Sequence, residues 1–161
     1  MLQKPPLAER ERWLRSDLAT LLFGWARASR QGAVAEGVRC IVAGSVYVPD
    51  IVYLTPPRLA AREGAPGAAL AVPPDLAVEI CPAAIDPAWA AHRVALYVAS
   101  GTPLAWLVDA GQESLTVYAA TREPRTLVRG EILEAEDVLP GFYVHLDDLF
   151  ETLLGDERES V

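Results

Sequence analysis

Hydrophobic and polar positions along the chain switch between helical and strand spacing, and the switches divide it into elements. Over residues 7–29, Leu14, Leu18, Leu21, Leu22 and Trp25 recur at the interval of one helical face. Glu9, Arg10, Glu11, Arg12 and Arg15 fall on what reads as the solvated face. Arg27 and Arg30 suit the C-terminal end of this long helix and Gly32 stops it. Residues 33–54 then read as strands, AVAEG, VRCIVA and SVYVPDIVYL, with turn signals at Gly37 and Gly44. Residues 55–74 are rich in Pro, Gly and Ala and read as loop with one helical turn around 58–63, the kind of long connection expected at the mouth of a site.

A second strand and helix follow. Residues 75–81, DLAVEIC, are a strand, and Asp86 with Pro87 opens a helix that Gly101 and Pro103 close. Trp89, Leu96 and Tyr97 form its expected apolar stripe, with Arg93 on the same inward side. The run PLAWLVD, 103–109, reads as a strand covered on both faces, and 114–119 with 126–129 as a strand pair at the sheet edge. LPGF, 139–142, is a turn. A last short strand spans 143–146, and Asp147 or Asp148 caps a helix over 149–154. Asp109 reads as a turn residue and His145 as structural. Residues 1–6 and 155–161 are expected to fray.

Composition narrows the class. The chain has 161 residues, 52% of them hydrophobic, enough for one α/β domain with a real core, and shows no repeat or linker. No window has the length of a membrane-spanning helix, and residues 1–3 lead into Pro5-Pro6 rather than an apolar signal core, so the chain reads as cytoplasmic. Cys40 and Cys81 lie in apolar contexts without a metal-ligand pattern and read as buried, unpaired thiols. The net charge of −8 works against broad polyanion binding, so a nucleic-acid partner would rest on local patches such as Arg122, Arg125 and Arg129. Trp13, Trp25, Trp89 and Trp106 lie on apolar faces and read as core or interface rather than a base-stacking platform.

Two carboxylates break the apolar pattern. Glu79 stands among Leu76, Val78 and Ile80, and Asp50 follows Pro49 inside VYVPDIVYL. A buried carboxylate is costly unless it meets a cation, a metal or hydrogen-bond donors. Paired strands would let both share a divalent ion such as Mg²⁺ or Mn²⁺, which takes a few protein oxygens. Such an ion polarises a phosphodiester and lowers the pKa of the attacking water. Glu36 is a candidate third ligand. Against this, Asp50 could simply satisfy backbone donors at a bend, and Arg93 could form a bidentate pair with Glu79 or Asp50 in the metal's place.

VPDIVYL, PPDLAVEICP, the helix ending in ALYVASGTPLAWLVD, and LPGFYVHLDDLF together resemble the Uma-type family of restriction endonucleases, in the PD-(D/E)XK nuclease superfamily. The resemblance implies a restriction-endonuclease-like mixed β-sheet flanked by helices, a Mg²⁺ ion on Asp50 and Glu79 with the carbonyl of Ile80, phosphodiester hydrolysis of nucleic acid, and a homodimer. It also implies a degenerate member. Cys81 stands where the superfamily has its Lys, and Arg93 stands where the Uma-type variant has it. Lys4, the sole lysine among 14 basic residues, cannot easily stand in for it. Arg93 and neighbouring His92 would then help with phosphate charge, and activity would be weak or lost. The alternative is a non-catalytic dimeric scaffold that keeps the nuclease fold.

Overall fold

The computed structural model describes residues 4–62, 64 and 67–151. Helix α1 (Glu9–Ser29) is followed by strands β1 (Ala33–Glu36), β2 (Cys40–Val42), β3 (Ser45–Tyr47) and β4 (Ile51–Leu54), then short helix α2 (Pro56–Ala61) and strand β5 (Leu76–Ile80). Helix α3 (Pro87–Ala99) leads to β6 (Leu104–Asp109), β7 (Ser114–Ala119), β8 (Arg122–Val128), β9 (Ile132–Glu134) and β10 (Tyr143–His145). Six strands form one sheet in the order β1-β4-β5-β6-β7-β8. Only β5 and β6 pair in parallel, and α3 is the crossover between them; every other pair in this sheet is antiparallel. The expected single mixed α/β domain is therefore what the chain forms.

The two faces of the sheet are closed by different helices. Leu14, Leu18 and Leu22 of α1, all fully buried, pack with Tyr53, Val78, Trp106 and Phe142 on one face. Each buried leucine contributes roughly 1.5–3 kcal/mol. On the other face Tyr97 meets Val52, Leu54 and Ala77, while Ala90 and Val94 meet Cys81, Ala105 and Leu107. Glu79 lies between Ala77 and Cys81 and so belongs to the α3 face. The α1–β1 turn allows no side chain at Gly32: its φ is +71°, and a Cβ would lie 2.0 Å from the Leu54 carbonyl oxygen.

Several boundaries differ from the pattern reading. In α1, Leu21 is exposed, Trp25 is half-buried, and Glu11, expected in solvent, is buried. The stripe of α3 is Ala90, Val94 and Tyr97, with Trp89 and Leu96 only partly covered, because small residues let the helix lie close on the sheet. β8 starts at Arg122 rather than 126, and it is the sheet edge as expected. The last helix begins at Leu146, so Asp147 and Asp148 fall inside its first turn; residues 152–154, like 1–3 and the 155–161 tail, lie outside the described residues. Lys4, expected at a frayed end, is tucked against the sheet with its side chain 13% exposed. Cys40 and Cys81 are buried and free, with thiol pKa values each pushed up to about 11, by burial above all.

Candidate active site

Asp50 is set by the place where the β4 ladder ends. Ile51 is the last residue of β4 paired with β5, opposite Val78, and Asp50 adds one further backbone bond, from its N–H to the Val78 carbonyl (3.0 Å). Preceding Pro49 has no N–H to continue the ladder. The Asp50 carboxylate takes over instead, with Oδ2 accepting the Ile80 N–H at 2.7 Å. Its satisfaction of a backbone donor at a bend is thus real, and it is only half of what the side chain does.

Glu79 is 1% exposed, and each of its oxygens has a partner. Oε1 accepts from Arg93 Nε at 2.9 Å and from the Tyr97 hydroxyl in a very short bond. Oε2 faces Lys4 Nζ at 2.5 Å. The same Lys4 ammonium donates to Asp50 Oδ2, again in a very short contact. One cation therefore touches both carboxylates. Lys4, expected in a frayed end and not as a stand-in at the site, thus reaches both acids, with residues 4–8 lying across the sheet end.

Arg93 is fixed from every side. Its Nε also donates to Tyr97 Oη (2.9 Å) and its Nη2 to the Val48 carbonyl (3.3 Å). Its guanidinium carbon lies 5.0 Å from the Tyr47 ring centre, 5.5 Å from Trp89 and 6.0 Å from Tyr97. Burial works against its charge, yet the Glu79 carboxylate and then Tyr97 hold its pKa above the ordinary guanidinium value. Burial, followed by the Glu79 charge, pushes the Tyr97 phenol far above its usual range, so Tyr97 remains a proton donor. The Arg93–Glu79 pair expected from the sequence exists, made through Nε alone rather than bidentate. It leaves Oε2, and with it the point shared with Asp50, to Lys4.

The other expected residues lie outside this cluster. His92, one position before Arg93, is exposed and makes no hydrogen bond to the site among the described residues. Glu36 is exposed and faces Arg15 Nε at 3.6 Å; Arg15 in turn approaches Asp50 Oδ1 at 3.9 Å, so an arginine stands where a third acidic ligand would. Among the described residues no group of three or more His, Cys, Asp or Glu side chains converges. Glu11 is an addition that pattern reading missed. Its Oε2 accepts the Ala8 N–H (2.8 Å) and its Oε1 the Ala83 N–H (2.6 Å), pinning the start of α1 to the turn after β5. A glutamate at the third helical position was the available signal.

Oxygens of two carboxylates reached by one cation are the hard-donor arrangement that Mg²⁺ and Mn²⁺ accept, and the residues fit such an ion provided Lys4 yields its place. The family model for Uma2, described as "Putative restriction endonuclease", matches residues 1–147. The chain belongs to the Uma2 family. The crystal structure of a putative nuclease of DUF820 from Anabaena variabilis superposes on it with a TM-score of 0.82 at 20% identity, covering 95% of this chain and 87% of that one. That likeness shows the nuclease-like fold. No curated protein matches the chain. Among the described residues of this Uma2 member, no helix is long and apolar enough to cross a membrane.

Proposed function

We propose that this chain is a cytoplasmic, divalent-metal-dependent phosphodiesterase that cuts nucleic acid. One observation carries the reading: Asp50, at the bend just ahead of β4, and Glu79 of β5 converge on a single cation at the end of the sheet. In this reading Asp50 and Glu79, with the carbonyl of Ile80, hold Mg²⁺ or Mn²⁺. When bound, the ion polarises the scissile phosphate and makes an attacking water more acidic. Arg93 acts as a fixed positive charge that holds the Glu79 carboxylate in place. Tyr97 donates to the same oxygen and keeps Glu79 from turning away, and Lys4 adds a compact ammonium that can face a phosphate once it leaves the carboxylates. The family's homodimer is part of the proposal, and sedimentation of the full chain tests it.

A second reading is favoured by the charge balance. Lys4 and Arg93 neutralise both acids, and Tyr97 and the Ile80 N–H take further lone pairs, so the cluster is satisfied without a metal. A retired site of this kind would serve a non-catalytic scaffold. Calorimetry with Mg²⁺ and Mn²⁺, followed by cleavage assays on plasmid and single-stranded DNA, separates the two. The nuclease reading expects metal binding and metal-dependent cleavage in the wild type, both lost in Glu79→Gln. A folded wild type that binds neither ion and leaves both substrates intact establishes the scaffold.

A further inference from the structure

Within the metal-site reading just given, on which this inference rests, we propose that Lys4 is a tethered counter-ion that gates metal loading. A divalent ion and the Lys4 ammonium compete for the one point shared by Asp50 and Glu79, so loading drives Lys4 out of the site. The geometry assigns this part to Lys4 and not to Arg93. Arg93 is bonded to Glu79, Tyr97 and the Val48 carbonyl and faces three aromatic rings, so it has nowhere to go. Among the described residues, the Lys4 ammonium has only the two carboxylates as hydrogen-bond partners.

The tether is short and its base is fixed. Leu7 packs against the main core, and Glu11 holds the Ala8 N–H while its other oxygen holds Ala83 beside the site. Between that anchor and Lys4 lie Pro5 and Pro6, which have no N–H to bond to the sheet and fixed φ, so the segment moves as a stiff arm. The two cations exclude one another for simple reasons. Both need the same Asp50 and Glu79 oxygens, and a divalent charge within about 4 Å of an ammonium is strongly repelled even at an effective dielectric constant of about 20. In the metal-free protein the ammonium meanwhile removes the repulsion between the two buried acids. It keeps the site assembled for the incoming ion.

Because Lys4 is the only lysine of the chain, its state can be followed in the unaltered protein. The test pairs Mg²⁺ and Mn²⁺ calorimetry on wild type, Lys4→Met and Glu79→Gln with acylation of Lys4 by an amine-reactive ester, quantified by peptide mass spectrometry with and without metal. Lys4→Met is expected to bind the ion roughly tenfold or more tightly than wild type, while Lys4 acylation in the wild type rises several-fold as metal saturates. A folded Lys4→Met with unchanged or weaker metal affinity overturns the gate. If Lys4→Met fails to fold, the wild type decides: acylation that stays flat while calorimetry registers binding overturns it equally. Binding by Lys4→Met where the wild type binds nothing supports the gate in its strongest form. Absence of binding in both overturns the gate together with the metal site itself, and is told apart by the lack of any Glu79-dependent heat.

Discussion

Asp75 immediately precedes β5 and Glu79 lies near the strand's other end; both are buried and both meet an arginine, yet they do different work. Asp75 Oδ2 accepts the Thr55 N–H at 2.7 Å and Oδ1 faces Arg58 Nε at 3.2 Å. Arg58 in turn donates to the carbonyls of Pro73, Pro74 and Gly101, so this acid is the centre of a clasp that ties the loop after α2 to the end of α3. All its partners are local to that corner. Glu79 instead meets a second acid from the bend ahead of β4 and a lysine from far along the chain, and the three converge at one point. A buried carboxylate with an arginine is thus a weak sign of chemistry. Two carboxylates distant in sequence that share one cation are a strong one.

The largest stability effect expected at the Glu79 end comes from Arg93→Met. Among the described residues it leaves Glu79, 2% exposed on its side chain, with Lys4 as its remaining charged partner, so the loss should fall at the low end of the about 3–5 kcal/mol that breaking a buried pair costs. Urea unfolding measures it. Arg93→Lys should recover part of the loss, because an ammonium can reach Glu79 but cannot also bond Tyr97, Val48 and stack on the rings. If Arg93→Met is as stable as wild type, Glu79 does not depend on its arginine and the resemblance to the Asp75 clasp disappears.

Asp75→Asn sharpens the contrast with a smaller effect. The amide can still accept the Thr55 N–H, but it loses the ionic bond with Arg58, so about 1–3 kcal/mol of stability should go. Metal affinity, measured by calorimetry on the folded variant, should match wild type. A loss of metal affinity in Asp75→Asn would mean that the two ends of β5 are energetically one site.

The strands, both main helices and the two acids of the site were legible because they follow local rules. Apolar runs with turn signals gave β4 to β7, Asp86-Pro87 gave the start of α3, and a glutamate among Leu76, Val78 and Ile80 announced itself by its cost. Lys4 was not legible, since nothing in a lysine beside two prolines says that the chain will fold back over the end of the sheet. Glu11 was hidden for a related reason: in sequence it belongs to a charged run, and only the approach of Ala83 makes its face an inner one. His92 is the opposite case. Adjacency to Arg93 in sequence suggested a shared role, but neighbours on a helix point about 100° apart, and His92 faces solvent.

Cys81 tests how dry the α3 face is two residues beyond Glu79. Burial first, then the charge of Asp109, raises its thiol pKa to about 11, and Cys40 is raised to about 11 by burial and then Glu79. The sign is that of an acid whose charged form is disfavoured, so thiolate is scarce below that value. At pH 8 iodoacetamide should leave both cysteines intact in the folded chain and alkylate both in urea. Rapid alkylation of Cys81 in the folded protein would show that water reaches the strand carrying Glu79.

The smallest effect is expected at a carboxylate on the surface, which calibrates the two buried ones. Glu113 pairs with Arg129 at 2.5 Å and with Arg10 at 3.5 Å, and its side chain is 26% exposed. The hydrogen bond from Arg129, above all, holds its pKa below the ordinary carboxylate value. A depressed folded pKa means that the stabilisation is fully present above the usual carboxylate range and is lost as pH falls through the lower, folded value. Solvent screens this pair, so Glu113→Gln should cost no more than about 1 kcal/mol at neutral pH, and less as salt is added. Urea unfolding of Glu113→Gln beside wild type at pH 7 and pH 3 should therefore show a small gap that narrows at the lower pH. A gap as wide as that of Asp75→Asn would mean that exposure does not rank these acids, and that the contrast between the two ends of β5 cannot be argued from burial and must rest on convergence alone.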